Sequence, residues 1–270
     1  MNTAGVDESR NEANLLLMHV LDRDRTFLLT HGEESLSLKQ FDRYRSLVAR
    51  RGEGYPLQYL TGHQEFFKLD FEVTPDVLIP RPETELIVEV GLEMLGDGPA
   101  PRFADIATGS GCIAISLLKE LPQASAVATD LSSAALAVAK RNAERHAVNN
   151  RLLLVESDLF CALDSSDQFD VIFSNPPYVP TRELTLLQRE VRHEPQAALD
   201  GGPDGLSVIR RLLKEAPDFL RAHGHLVLEI GFNQHEEVKT VIDHAAWELI
   251  ELRKDLQGIP RTVVLQKRER

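Results

Sequence analysis

The chain has 270 residues, 43% of them hydrophobic, and a formal net charge of −12. That size and composition give enough core for one large domain, or for one ordinary domain with a small companion, and exclude wholesale disorder. Residues 1–80 carry 9 Lys/Arg against 13 Asp/Glu and residues 81–270 carry 21 against 29, a balance that argues against a broad basic face tracking a nucleic-acid backbone.

No apolar run approaches the roughly 18 residues that cross a bilayer, and the opening MNTAGVDESR lacks the basic and apolar regions of a signal peptide. Only two cysteines occur, Cys112 and Cys161, and the nine histidines show no HExxH spacing. A disulfide framework and a zinc site are therefore not expected, and a cytoplasmic location is.

In chain order, Leu15, Leu16, Met18, His19 and Leu21 give an apolar stretch on a short helix. Ser37 followed by Gln40 has capping-box spacing, and Leu38, Phe41, Tyr44, Leu47 and Val48 then recur near the helical period. Arg50 and Arg51 suit the negative end of that helix, and Gly52 suits its stop. Arg43, Arg45, Arg50 and Arg51 form either a solvated face or a partner-binding patch. Over residues 65–73 the pattern changes to period two through Phe67, Leu69, Phe71 and Val73, which predicts a half-buried strand. Pro75, Pro80 and Pro82 punctuate the next stretch of chain, so a domain boundary is placed there, giving units 1–75 and 76–270. Pro82 suits the first position of a new helix, with Glu83 and Glu85 in its positive first turn and Gly96 at its end.

Beyond Pro101, short apolar runs at 103–107, 124–129, 152–156, 171–174, 225–230 and 262–266 alternate with helical patterns such as 132–147 and 206–222. Strand–helix alternation predicts an α/β fold, a mostly parallel, doubly wound sheet. Its first strand runs into DIATGSGCIA, where Gly109 and Gly111 let a ligand approach the backbone at a helix N-terminus. Asp130 ends the next strand about 20 residues on, where an acid can grip two ribose hydroxyls. Asp158 and Leu159 follow the third strand. Gly109, Gly111 and Ala114 satisfy a loose dinucleotide fingerprint, so a nicotinamide dehydrogenase stays open. Against it, Asp105 stands inside the turn approach, where a carboxylate repels a pyrophosphate but can hold an ammonium or organise the loop. Three acids at successive strand ends suit a ligand with ribose hydroxyls, an adenine amine and a positive charge. S-adenosylmethionine is such a ligand.

At the fourth strand end stands SNPPYVP. An –NH2 group on a planar conjugated system is a poor nucleophile, because its lone pair is delocalised. Two acceptors on its two hydrogens fix the nitrogen and favour a pyramidal, charge-bearing transition state. The Asn175 side-chain oxygen and the Pro176 carbonyl are candidates for those acceptors. Pro176 and Pro177 stiffen the corner and add no competing N–H, and Tyr178 can pack on a flat substrate. The plain alternative is a proline-stiffened turn.

These residues resemble the bacterial glutamine N5-methyltransferases that modify peptide chain release factors. The likeness spans nearly the whole chain: PLQYLTGHQEF (56–66), VLIPRPETE (77–85), ATGSGCIA (107–114), SNPPYV (174–179), EPQAALDGGPDGL (194–206) and KDLQGIPR (254–261). NPPY alone is shared with adenine-N6 and cytosine-N4 methyltransferases, whereas IPRPETE is more specific.

The resemblance implies a seven-stranded class I S-adenosylmethionine-dependent methyltransferase domain, a helical N-terminal domain that docks a release factor, and a hairpin linker. It implies no nucleic-acid partner and no membrane. It assigns Asp105, Ala107, Thr108, Gly109, Ser110, Gly111, Asp130, Asp158, Leu159 and Asn175 to the cofactor. Asn175, Pro176, Pro177 and Tyr178 would hold the glutamine amide, with Asn175, Pro176 and Tyr178 catalytic. Ala107 departs from the glycine common in the family, and an alanine there is expected to keep φ negative. A ribosomal-protein glutamine methyltransferase, an N6-adenine DNA methyltransferase and a non-catalytic cofactor-binding scaffold are the alternatives.

Overall fold

The computed structural model describes residues 8–96 and 98–269; the first seven residues, on which the reading of the N-terminus partly rests, lie outside them. Among the described residues no helix is long and apolar enough to cross a membrane. The chain divides into two compact units, Met1–His63 with Leu187–His193, and Gln64–Leu186 with Glu194–Arg270.

The first unit holds α1 (Ser9–Leu21), α2 (Arg25–Thr30), α3 (Leu38–Gly52) and α4 (Leu57–Thr61). Helix α3 starts as its spacing predicts. The Gln40 N–H donates to Ser37 Oγ at 3.3 Å and the Ser37 N–H to Gln40 Oε1 at 3.0 Å, satisfying orphan donors at both positions. Helix α2, which no motif singles out, starts where the Phe27 N–H donates to Asp24 Oδ1 at 2.8 Å. The arginine cluster is not uniform. Arg43, Arg45 and Arg50 are exposed, but Arg51 is only 7% exposed and donates to Glu12 at 2.6 and 3.1 Å and to Glu190 at 2.9 Å. Glu190 lies in the returning segment Leu187–His193. That segment also donates from Arg189 to the Gly52 carbonyl at 3.1 Å and sets the His193 ring 5.2 Å from that of Tyr55.

The second unit begins within a hairpin, β1 (His63–Phe66) and β2 (Leu69–Glu72), where the period-two pattern predicts a single strand over 65–73 and the resemblance a hairpin. Phe67 and Lys68 both take left-handed φ, 48° and 61°, so the chain reverses there. Phe66 and Phe71, at 1% and 0% exposure, carry the burial. After a 3-10 turn at Pro82–Thr84 come α5 (Glu85–Leu95), β3 (Arg102–Ile106), α6 (Cys112–Glu120), β4 (Ser125–Asp130), α7 (Ser133–Arg145), β5 (Leu152–Glu156) and β6 (Phe169–Ser174). Then come α8 (Ser207–Glu215), β7 (Leu220–Glu229), α9 (His235–Val241), β8 (Trp247–Lys254) and β9 (Pro260–Lys267). The helix expected over 206–222 thus stops at Glu215, because Pro217 sits in a tighter turn and Leu220 already pairs with Phe169 in the sheet. Strand β8 is not apparent from the sequence pattern. Among the described residues it is an edge strand paired only with β9, and a bulge between Leu249 and Glu251 breaks its alternation.

Seven strands run in the order β5-β4-β3-β6-β7-β9-β8, parallel except for β9, which is antiparallel to both neighbours. Alternate residues feed two cores. Phe103, Ala126, Phe173 and Val227 pack with α5, α6 and the hairpin, while Ala104, Val127, Ile172, Leu226 and Trp247 pack with α8 and α9. This is the doubly wound sheet that the strand–helix alternation predicts. Its chain order reverses between β3 and β6, which opens a crevice at their carboxyl ends.

Candidate active site

Strand register brings the proposed site residues to one rim. Ile106 is opposite Thr129 and Ser174, and Asp130 is opposite Glu156. The Ser174 hydroxyl donates to the Ile106 carbonyl at 2.7 Å, which fastens the start of NPPY beside the glycine turn.

That turn is held from three sides. The Thr108 N–H donates to the Thr129 carbonyl at 2.9 Å, and the Gly109 N–H donates to Asp130 Oδ2 at 2.9 Å. Asp105 Oδ2 accepts from the Thr108 hydroxyl at 2.6 Å and from the Ala114 N–H at 3.2 Å. Ala107 adopts φ 62°, which corrects the expectation of a negative φ. The flanking hydrogen bonds over-determine a conformation that costs an alanine about 1–2 kcal/mol. A Cβ placed on Gly109 (φ 56°) would meet nothing within 4 Å, so the turn borders open space. Ser110 is buried beneath it, and its carbonyl accepts from Asn142 at 2.9 Å. Gly111 (φ 81°) caps α6.

The acids play unequal parts. Asp105 is fully buried and organises the loop through Oδ2, while Oδ1 has no hydrogen-bond partner among the described residues. Asp130 accepts the Ser132 N–H through Oδ1 at 2.9 Å and the Gly109 N–H through Oδ2. Each carboxylate oxygen has a second lone pair left for a hydroxyl. Asp158, the third acid, is the most exposed of them. Its side chain is half-exposed and ion-paired with Arg211 on α8 at 2.8 Å, whereas its neighbour Leu159 is buried with φ 53°.

At NPPY the structure adds two residues, Thr84 from the IPRPETE motif and Glu229, whose place beside Asn175 the sequence does not reveal. The Asn175 Nδ2 donates to Thr84 Oγ1 at 3.0 Å, and the Thr84 hydroxyl donates to Glu229 Oε2 at 2.6 Å. The Tyr178 hydroxyl donates to Glu229 Oε1 at 3.2 Å, so Tyr178 is tied by its oxygen as well as lined up as a ring. Pro176 is buried and Pro177 partly so. Behind them runs the segment EPQAALDGGPDGL. A Cβ on Gly201 would lie 2.8 Å from the Pro177 carbonyl and from Tyr178 Cα, and one on Gly205 would clash with the Tyr178 carbonyl, so these glycines permit the close approach. Glu194, buried, accepts from the Ile79 N–H at 3.0 Å and pairs with Arg81. IPRPETE and EPQAALDGG therefore clasp each other. Only their separate appearance as conspicuous segments hinted at it.

Burial pushes the Asp105 carboxyl up to about 7, against the opposing hydrogen bonds from Thr108 and Ala114. It pushes Glu229 up to about 7 as well, against Thr84 and Tyr178. Unfolded carboxyls titrate near 4, so between about pH 4 and 7 the folded chain holds protons that the unfolded chain has lost. Each of these groups lowers stability as pH rises through that window. Burial of His19, His146 and His225 lowers their pKa and works in the opposite direction, so the difference between two proteins is the clean measurement. Asp105→Asn keeps an acceptor for Thr108 and Ala114 and removes the ionisation. Its unfolding free energy relative to wild type is expected to climb between about pH 4 and pH 7, with a slope of up to about 1.4 kcal/mol per pH unit, and to level off above that. A difference independent of pH would show that Asp105 does not titrate there.

Residues 84–203 match the methyltransferase small domain family, and residues 1–62 match the PrmC N-terminal domain. A methyltransferase from Pyrococcus furiosus shares the fold at TM-score 0.56 and 20% identity, over 85% of this chain and 98% of its own. Sheet order, rim and domain match together define a class I S-adenosylmethionine-dependent methyltransferase. The release factor glutamine methyltransferase of Moorella thermoacetica is 44% identical over 266 residues, 98% of this chain and 94% of that protein. That of Geobacter sulfurreducens is 45% identical over 261 residues, 96% and 90% respectively. The chain belongs to the release factor glutamine methyltransferase family, which closes the nicotinamide dehydrogenase alternative. Its cofactor is S-adenosylmethionine. The residues present fit a ligand bearing an ammonium and a sulfonium: a buried carboxylate oxygen lacks a partner among the described residues and the glycine turn borders open space.

Proposed function

We propose that the chain methylates the side-chain amide nitrogen (N5) of a glutamine, that of the exposed GGQ loop of peptide chain release factors. The observation that carries this reading is the orientation of Asn175. Its nitrogen is engaged by Thr84, so its oxygen is left to accept.

S-adenosylmethionine supplies an electrophilic methyl group. The chain's part is to hold an amide –NH2 still and to strip it of conjugation. Asn175 Oδ1 takes one amide hydrogen and the Pro176 carbonyl takes the other. Two acceptors reward a nitrogen whose hydrogens bend out of the amide plane and grow positive, and they do so more in the transition state than in the flat ground state. No strong base is called for: as the N–C bond forms the methyl–sulfur bond would break with its electron pair left on sulfur, and the amide proton, acidic only then, passes to water. Tyr178 packs on the amide face, held by Glu229. On the other side, Asp130 takes the ribose hydroxyls, Asp105 with the 107–111 turn receives the charged amino-acid part, and the Asp158 and Leu159 backbone borders the adenine. Placing the two reactants in line contributes much of the remaining rate enhancement.

The helical N-terminal unit docks the protein substrate in this reading, and the acidic charge disfavours nucleic acid as the acceptor. The test is to incubate the full chain with methyl-labelled S-adenosylmethionine and, separately, an unmethylated release factor, its Gln→Ala loop variant, ribosomal proteins and an adenine-containing duplex. Label is expected on the loop glutamine and lost in the variant. Label on a ribosomal protein or on adenine instead would overturn the assignment.

A further inference from the structure

We infer that Thr84 and Glu229 are positioning residues for methyl transfer, setting which end of the Asn175 amide faces the substrate. This rests on the reading of Asn175 as an acceptor.

The two ends of a carboxamide are nearly the same size, so shape alone selects neither. Direction along the hydrogen-bond chain does. A threonine hydroxyl has a single proton. Here it sits 2.6 Å from Glu229 Oε2, and above about pH 7, where Glu229 is ionised, that oxygen has nothing of its own to donate. The other oxygen, Oε1, is taken by the Tyr178 hydroxyl. With its proton committed to Glu229, Thr84 offers Asn175 only a lone pair, and a lone pair accepts the NH2 end alone. The Asn175 oxygen must then turn away from Thr84. Both Thr84 and Glu229 are 2% exposed, so the surroundings are too dry for bulk solvent to satisfy a wrongly turned amide.

Removing the carboxylate undoes this logic. The Thr84 proton is then free to go to Asn175 Oδ1, and a half-turn about the last side-chain bond presents NH2 to the substrate's own NH2, donor against donor. Thr84 comes from IPRPETE, before α5, and Glu229 from the end of β7. Neither touches the reacting atoms in the proposed arrangement, and both act through Asn175 and Tyr178.

Two pairs of variants test this in single-turnover assays at saturating cofactor and protein substrate, well above pH 7 so that Glu229 is ionised, beside melting curves. Glu229→Leu and Thr84→Val remove the wire. Each is expected to lower the transfer rate about 10²-fold, the scale of losing one aimed acceptor, with cofactor affinity and the KM for the protein substrate within about threefold of wild type. Thr84→Ser restores the hydroxyl and is expected to recover at least about tenfold of the lost rate, whereas Glu229→Gln has one acceptor for two hydroxyls and recovers rate only when its oxygen faces Thr84. A purely structural role would instead make rate follow melting temperature, with no split between rate and KM. The inference is overturned if Thr84→Val transfers methyl within about threefold of wild type, or if Thr84→Ser rescues nothing in folded protein. Should Glu229→Leu not fold, the Thr84 pair decides alone. Wild-type protein that labels no glutamine at all would instead overturn the proposed function, before any variant is compared.

Discussion

Asn175→Ala is expected to cut single-turnover methyl transfer by about 10²–10³-fold, roughly 2.7–4 kcal/mol, in a protein that still folds. The side chain is only partly buried at the end of β6, and its neighbour Ser174 keeps the strand end fastened to Ile106, so truncation should leave the corner standing. What goes is the acceptor oxygen and the tie to Thr84. Asn175→Asp is the sharper variant. By sequence alone, aspartate preserves an acceptor and should retain some activity. The structure lowers that expectation, because the second oxygen of the aspartate would face Thr84 Oγ1, which already donates to Glu229. One threonine proton cannot serve two carboxylates. Asn175→Asp is therefore expected to transfer methyl faster than the alanine variant but far below wild type. Were Asn175 merely a turn residue, both variants would change melting temperature and both would turn over normally once folded. That result would remove the basis of the proposed chemistry.

Asp130→Ala is expected to weaken S-adenosylmethionine binding about 10²-fold by calorimetric titration. A hydrogen bond to a charged group contributes roughly 1.5–3 kcal/mol, and this carboxylate has two jobs. Its free lone pairs are placed for ribose hydroxyls, and its engaged ones hold the Gly109 and Ser132 N–H groups, hence the shape of the turn. Asp130→Asn is not conservative for the same reason: whichever way the amide is turned, its NH2 confronts one of those two backbone donors. Affinity unchanged in Asp130→Ala would sink the ribose assignment.

What the sequence determined by itself is what local chemistry controls. The Ser37–Gln40 box, the glycine turn after β3, the acid ending β4 and the proline corner after β6 are each written within a few residues, because caps and turns are set by neighbours along the chain. Strand–helix alternation then implies the doubly wound sheet, and the sheet implies a shared rim. Where a local rule was applied to a residue under outside constraint, it failed. Ala107 takes a positive φ because Thr129 and Asp130, on another strand, hold the turn from outside. The period-two run across 65–73 is broken by a reversal at Phe67 and Lys68, where burial of Phe66 and Phe71 outweighs alternation.

Only the tertiary structure decided the partnerships that turn those pieces into a site. Glu229 meets Thr84, Glu194 meets Arg81, Gly201 and Gly205 lie against Pro177 and Tyr178, and Glu190 returns to Arg51 in the helical unit. Each pair is joined by strand register and by the path of a loop, not by spacing. A buried carboxylate or guanidinium is tolerated only with its partner in place, yet nothing in the residues around Glu229 says that its partner is a threonine before α5. The direction of the hydrogen bond into Asn175 is likewise a property of three residues from three parts of the chain, and it exists only once the sheet has brought them together.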